Sequence, residues 1–110
     1  MDFSQYQELS KRTMPKNWDG MTISNYAMGL AGEAGEVVDL LKKWVHHQHP
    51  ITQEELNKLV KELGDVQHYA NGIATMFKLS MNDVVVANVE KLKKRYPEGF
   101  SPEKSINREE

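Results

Sequence analysis

Four carboxylates in two spaced pairs are the residues of this chain best suited to chemistry: Glu33-Ala34-Gly35-Glu36 and Glu62-Leu63-Gly64-Asp65. Within each pair the acids stand three residues apart, which on a helix puts them on neighbouring positions of one face. On a wheel of about 100° per residue with Glu33 at zero, Leu30, Val37, Leu40 and Trp44 fall within roughly 60°. Glu33 therefore projects from the middle of an apolar stripe, and Glu36 stands at its edge. The second pair repeats this: with Glu62 at zero, Val66, Tyr69, Ile73 and Met76 lie within about 40° and Asp65 near −60°. An unpaired carboxylate in an apolar interface is costly or takes up a proton. Two matched pairs point instead to a bound cation. Four oxygen-donor acids without histidine make a hard site, suited to Mg²⁺ or Mn²⁺ more than to zinc or copper.

Mg²⁺ keeps several waters and binds through carboxylates together with substrate phosphates, so a polyphosphate is the ligand to look for. Asn88, Lys91 and Arg95 recur at i, i+3 and i+7 and form one ridge of donors, unless they mark only the polar side of an amphipathic helix. Opposite the acids, such a ridge would neutralise phosphate charge while a carboxylate orients or deprotonates water. Trp18 is either a hydrophobic plug over the helices or an aromatic platform for a nucleobase. Two rival readings use the same acids. A di-iron centre needs a Glu-x-x-His pair on each of two helices. The chain offers only Asp65-Val66-Gln67-His68, with His68 about 120° from Glu62 on the wheel. A non-catalytic helical interaction module would instead pair the acids with Lys or Arg across an interface.

The elements that must hold these residues read as helices throughout. A short helix is expected from Asp2 to about Met14, ended by Pro15, and the loop PKNWDGMT follows. The second helix runs from near Ser24 to about His47 and contains Gly29, Gly32 and Gly35, each costing about 1 kcal/mol relative to alanine. They give a neighbouring helix or a ligand room to approach the carboxylates. His46, His47 and His49 complement the dipole at its C-terminal end, with no regular metal-ligand spacing. Thr52 opens the third helix with a capping box and the pattern continues to about Lys78. The fourth runs from Ser80 or Asn82 to Tyr96, stopped by Pro97, with an apolar stripe of Val85, Val89, Leu92 and Tyr96. The expectation is an all-α four-helix bundle in a single domain over 1–110, with 101–110 a frayed tail.

Composition bounds the function. The chain has 110 residues, 39% of them hydrophobic, and a net charge of −2, which supplies no field for a nucleic acid polymer. With no cysteine, thiolate chemistry and disulfides are excluded. No stretch approaches the roughly 20 apolar residues of a membrane helix, and a cytoplasmic location is expected. A domain of this size buries a modest core, so self-association is expected too.

The ordered set GLAGEAGEVVDLLKK, ELGDVQHY and NVEKLKKRYPEGF resembles the MazG-like members of the all-α nucleoside triphosphate pyrophosphohydrolases, whose signature is E-x-x-E, a spacer and E-x-x-D. The resemblance covers most of residues 20–100. It implies metal-dependent hydrolysis between the α- and β-phosphates of (d)NTPs, releasing a nucleoside monophosphate and pyrophosphate, with a role in nucleotide-pool housekeeping. It implies that Glu33, Glu36, Glu62 and Asp65 ligate Mg²⁺ and that Glu33 or Glu36 also activates water. Lys91 and Arg95, with Asn88 and Lys43, would contact phosphates, and Trp18 and Tyr69 would flank the base. Many relatives carry a further acid where this chain has Gly32. A homodimer or homotetramer with sites near the interface is implied.

Overall fold

Capping residues set the lengths of the two helices that carry the acids. The computed structural model describes residues 1–108. It contains α1 (Phe3–Ser10), a 3-10 turn at Lys11–Thr13, α2 (Gly20–His46), α3 (Gln53–Met76), α4 (Met81–Arg95) and α5 (Pro102–Ile106). Among the described residues there is no strand, and the chain is all-α as its sequence implies. α2 begins at Gly20, ahead of the expected Ser24, because Asp19 caps it. The Asp19 carboxylate accepts the Thr22 N–H at 3.0 Å, and that bond holds its pKa below the ordinary value. At the other end Gln48 takes a left-handed conformation (φ 56°) and the His49 N–H donates to the Lys43 carbonyl at 3.0 Å.

Thr52 caps α3 as expected, accepting the Glu55 N–H at 3.2 Å. α3 ends where Lys78 turns left-handed (φ 58°) and the Leu79 N–H reaches back to the Ala74 carbonyl at 2.8 Å. Ser80 then caps α4. The segment expected to fray carries the short α5, capped by Ser101; Glu109 and Glu110 lie outside the described residues.

α2 packs along α3, and the paired positions show the two helices to be antiparallel: Trp44 meets Glu55, Glu33 meets Glu62, Gly29 meets Tyr69 and Tyr26 meets Gly72. The last two contacts are reciprocal. The Tyr69 ring lies on Gly29 and the Tyr26 ring on Gly72, so closely that a methyl group at either glycine would overlap the ring. The two rings meet edge to face, 5.3 Å between centroids. Gly32 and Gly35, in contrast, have nothing within 4 Å of an added Cβ.

α1 and α4 attach at the far end of the hairpin. Gln7 ties the junction together: its Nε2 donates to Thr75 Oγ1 (3.0 Å) and the Leu79 carbonyl (2.9 Å), and its Oε1 accepts the Met81 N–H (2.8 Å). Beyond Met81, no residue of α4 is buried. Of the stripe read from the sequence, Val85 and Tyr96 are half-buried while Val89 and Leu92 are exposed.

The result is an open shape. The radius of gyration is 16.9 Å, against roughly 13 Å for a compact chain of about 100 residues. Buried hydrophobic residues are few: Met14, Tyr26, Ala74 and Met81. Apolar side chains that a closed bundle would cover remain in the open, among them Val38 (63% exposed) and Val45 (71%) on α2 and Val60 (69%) on α3.

Candidate metal and nucleotide site

Because α2 and α3 run antiparallel in this register, Glu33 of one meets Glu62 and Asp65 of the other. One ligand oxygen from each of Glu33, Glu62 and Asp65 lies within 4.8 Å of the others. Glu33 and Glu62 are half-buried and Asp65 is exposed. Burial raises the Glu33 pKa above its ordinary 4.5. A hydrogen bond shared with Glu62 and the charges of Asp65, Glu62 and Glu36 push it the same way. Two ionised carboxylates have no proton to share, and Glu62 Oε2 is then buried without a hydrogen-bond partner. A divalent cation answers both facts, since it removes the like-charge repulsion and satisfies the orphaned oxygen. An all-oxygen donor set fits a hard cation.

Glu36 is exposed and stands outside this trio, but its charge reaches Glu33. With Glu62 it lines a cleft of about 350 Å³ that extends toward the α2–α3 turn past Lys43, Lys58 and His49. Lys43 pairs with Asp39 at 2.9 Å and Lys58 with Glu55 at 3.0 Å. Its bond to Asp39 chiefly, with further help from the Glu36 and Glu55 charges, raises the Lys43 pKa. The ion pairs on α2 and α3 join Lys42 and Lys43 to Asp39 and Lys58 to Glu55.

The remaining site residues of the sequence reading are spread more widely. Tyr69 is half-buried, one turn beyond Asp65, wedged between Gly29, Tyr26 and His68. Trp18 is 38% exposed and donates its indole N–H to the Pro15 carbonyl at 2.6 Å. It precedes α2, so it stands about 20 Å along the helix axis from Glu33 at 1.5 Å per residue. Asn88, Lys91 and Arg95 ride on α4, which packs on α1 and α3. The Arg95 guanidinium lies over the Tyr96 ring, 5.9 Å from its centroid. His68 stacks beside Tyr26 and Tyr69 and takes no part in the carboxylate trio. The sequence offers no signal that singles out Lys58 beyond its place about 40° from Glu62 on the helical wheel, and it places His49 only as a complement to the helix dipole. His49 depends on the turn that follows α2 and has no comparable periodic signal.

Fold and site together define an all-α protein whose facing helices present a candidate divalent-cation site. The family model of the MazG nucleotide pyrophosphohydrolase domain matches residues 21–100, and the chain belongs to this family. It is also similar to the Gene 37 protein of Mycobacterium phage L5, at 36% identity over 87 residues, covering 78% of this chain and 76% of that protein. No solved structure matches the chain. Among the described residues, no helix is long and apolar enough to cross a membrane.

Proposed function

We propose that the protein is a Mg²⁺-dependent pyrophosphohydrolase of nucleoside triphosphates, cleaving the α–β phosphoanhydride to a nucleoside monophosphate and pyrophosphate in nucleotide-pool housekeeping. The observation that carries this reading is the convergence of Glu33, Glu62 and Asp65 in a chain of the MazG family. These three acids, with Glu36 beside them, hold the cation; Mn²⁺ substitutes for it. The bound cation supplies charge stabilisation at the phosphoryl oxygens. Glu36, exposed at the mouth of the cleft, accepts the proton of the attacking water. The water oxygen adds to the α-phosphorus, the bond from that phosphorus to the bridging oxygen breaks, and pyrophosphate leaves carrying the bridging oxygen. Lys43 contacts the phosphates from the cleft and Tyr69 flanks the base, whereas Trp18, ahead of α2 and bonded to Pro15, stands too far along the axis to share that base within one subunit.

Two features support a homodimer or homotetramer working as single-domain subunits. Val38, Leu41 and Val45 lie roughly 80–140° round α2 from Glu33, and Leu56, Val60 and Leu63 roughly 100–160° round α3 from Glu62. In an antiparallel pair, rotations of the same sense face the same side, so these six residues form one exposed apolar face, away from Glu36 and Asp65. A second copy covers it. α4 joins the rest of the chain through α1 and the far end of α3, away from the α2–α3 turn, so Asn88, Lys91 and Arg95 meet the phosphates across the assembled subunits.

Glu36→Gln and Asp65→Asn test the proposal. Each is expected to lower pyrophosphate release by at least about a hundredfold while the helical circular dichroism stays unchanged. Full activity in both variants refutes it.

A further inference from the structure

We propose that the cleft between the acid trio and the α2–α3 turn is the pyrophosphate subsite, that Lys58 and His49 join Lys43 in lining it, and that it takes pyrophosphate only after a divalent cation has bound. This rests on the pyrophosphohydrolase reading and adds a direction to it. The β- and γ-phosphates point toward the turn, and the nucleoside points the opposite way, toward Tyr69 and Tyr26.

The cleft begins at Glu36 and Glu62, next to the trio, and holds about 350 Å³, room for a hydrated pyrophosphate. Lys58 lies one turn before Glu62 on α3, about 6 Å along the axis, on the turn side of the trio. Its ammonium is paired with an acid on the same helix. Glu55 Oε1 accepts from Lys58 at 3.0 Å, and Glu55 Oε2 accepts the Trp44 indole N–H at 3.3 Å. Those two bonds keep the Glu55 carboxyl below its usual pKa range, so the anchor stays ionised. Lys43 is anchored the same way on Asp39. His49 is placed by its backbone N–H on the Lys43 carbonyl and by the left-handed Gln48 before it. Three nitrogen-bearing side chains thus line one concave wall from three separate segments, two of them ion-paired to acids beside them.

The charge balance supplies the condition. Glu36, Asp39, Glu55 and Glu62 line the same cleft as the two lysines, so its wall is acidic overall and repels a polyanion. A divalent cation on the trio offsets the charge at the Glu36–Glu62 end and leaves the lysines at the other end to attract phosphate. Binding is therefore ordered, cation first.

The test uses the full chain and inorganic pyrophosphate, followed by the histidine ring proton signals in NMR, with His49→Gln identifying the His49 signal. With submillimolar Mg²⁺ present, pyrophosphate is expected to shift the His49 signal and to leave those of His46 and His47 in place. With EDTA the shift is lost. Lys58→Gln is expected to weaken pyrophosphate about tenfold, and Lys58→Arg to restore it. Wild-type affinity in Lys58→Gln, an unmoved His49 signal, or equal binding in EDTA each overturns the proposal. If wild-type protein releases pyrophosphate from nucleotides while Lys58→Gln binds it normally, the subsite fails and the activity stands. If Lys58 and Mg²⁺ govern pyrophosphate binding but no nucleotide is cleaved, the activity fails and the subsite stands.

Discussion

The Tyr69 ring rests directly on the α-carbon of Gly29, and one helical turn away on each helix Tyr26 rests on Gly72 in the same manner. This reciprocal contact sets how closely α2 and α3 approach and in which register, and the register is what brings Glu33 opposite Glu62 and Asp65. Gly29→Ala is therefore expected to destabilise by about 1–3 kcal/mol through overpacking. Gly32→Ala and Gly35→Ala, with open space at the added methyl, should instead gain roughly 0.5–1 kcal/mol from reduced backbone freedom. Denaturant unfolding of the three variants checks the contrast. A loss of turnover in Gly32→Ala without a loss of stability would mark that glycine as the point where ligand approaches.

The raised Glu33 pKa fixes the sign of a pH effect. Between 4.5 and the raised value the folded chain binds more protons than the unfolded one, so stability of the metal-free protein falls as pH rises across that window. Glu33→Gln removes the titration and the repulsion. In EDTA at neutral pH this variant should melt above the wild type; in Mg²⁺ it should lose the metal-dependent rise in Tm. Thermal melts at several pH values, with and without metal, read both effects.

Gln7 makes three hydrogen bonds across the α1, α3 and α4 junction. Gln7→Ala leaves the Met81 N–H and the Leu79 carbonyl without this partner and should cost about 1–3 kcal/mol. Residue 7 precedes the family match at 21–100, and its hydrogen-bond partners Thr75, Leu79 and Met81 are not members of the trio. The variant should therefore unfold at lower denaturant yet turn over nucleotide normally at temperatures where it remains folded.

The apolar face of the hairpin predicts an assembly-breaking change. Val38→Glu together with Val60→Glu places charge at two exposed positions on that face, and light scattering should then report a monomer where the wild type is larger. An unchanged molar mass would place the interface elsewhere.

The helices, three of the four acids and their convergence were legible in the sequence, because periodicity alone puts Glu33 and Glu62 in apolar stripes. The register was less so. Its determinant, Tyr26-Ala27-Met28-Gly29 against Tyr69-Ala70-Asn71-Gly72, is a repeated Tyr-x-x-Gly that stands in the sequence, but its meaning depends on antiparallel pairing. The early start of α2 was hidden because Asp19-Gly20 reads equally as a turn; only the bond from Thr22 to the Asp19 carboxylate makes it a cap. The Gln7 clamp joins residues far apart in the chain, and local pattern carries no trace of such a contact. The exposed Val89 and Leu92 satisfy a helical stripe on paper, yet burial depends on a neighbour that this chain does not bring to them.

The carboxylate trio is assigned to hydrolysis at the α–β bond of a nucleotide. Phosphorus NMR of the wild-type protein with Mg²⁺ and a panel of NTPs, dNTPs and oxidised analogues tests it most directly. Paired signals of pyrophosphate and nucleoside monophosphate are expected, absent in EDTA and in Asp65→Asn. Release of orthophosphate with a nucleoside diphosphate, or turnover that persists in EDTA, would contradict it.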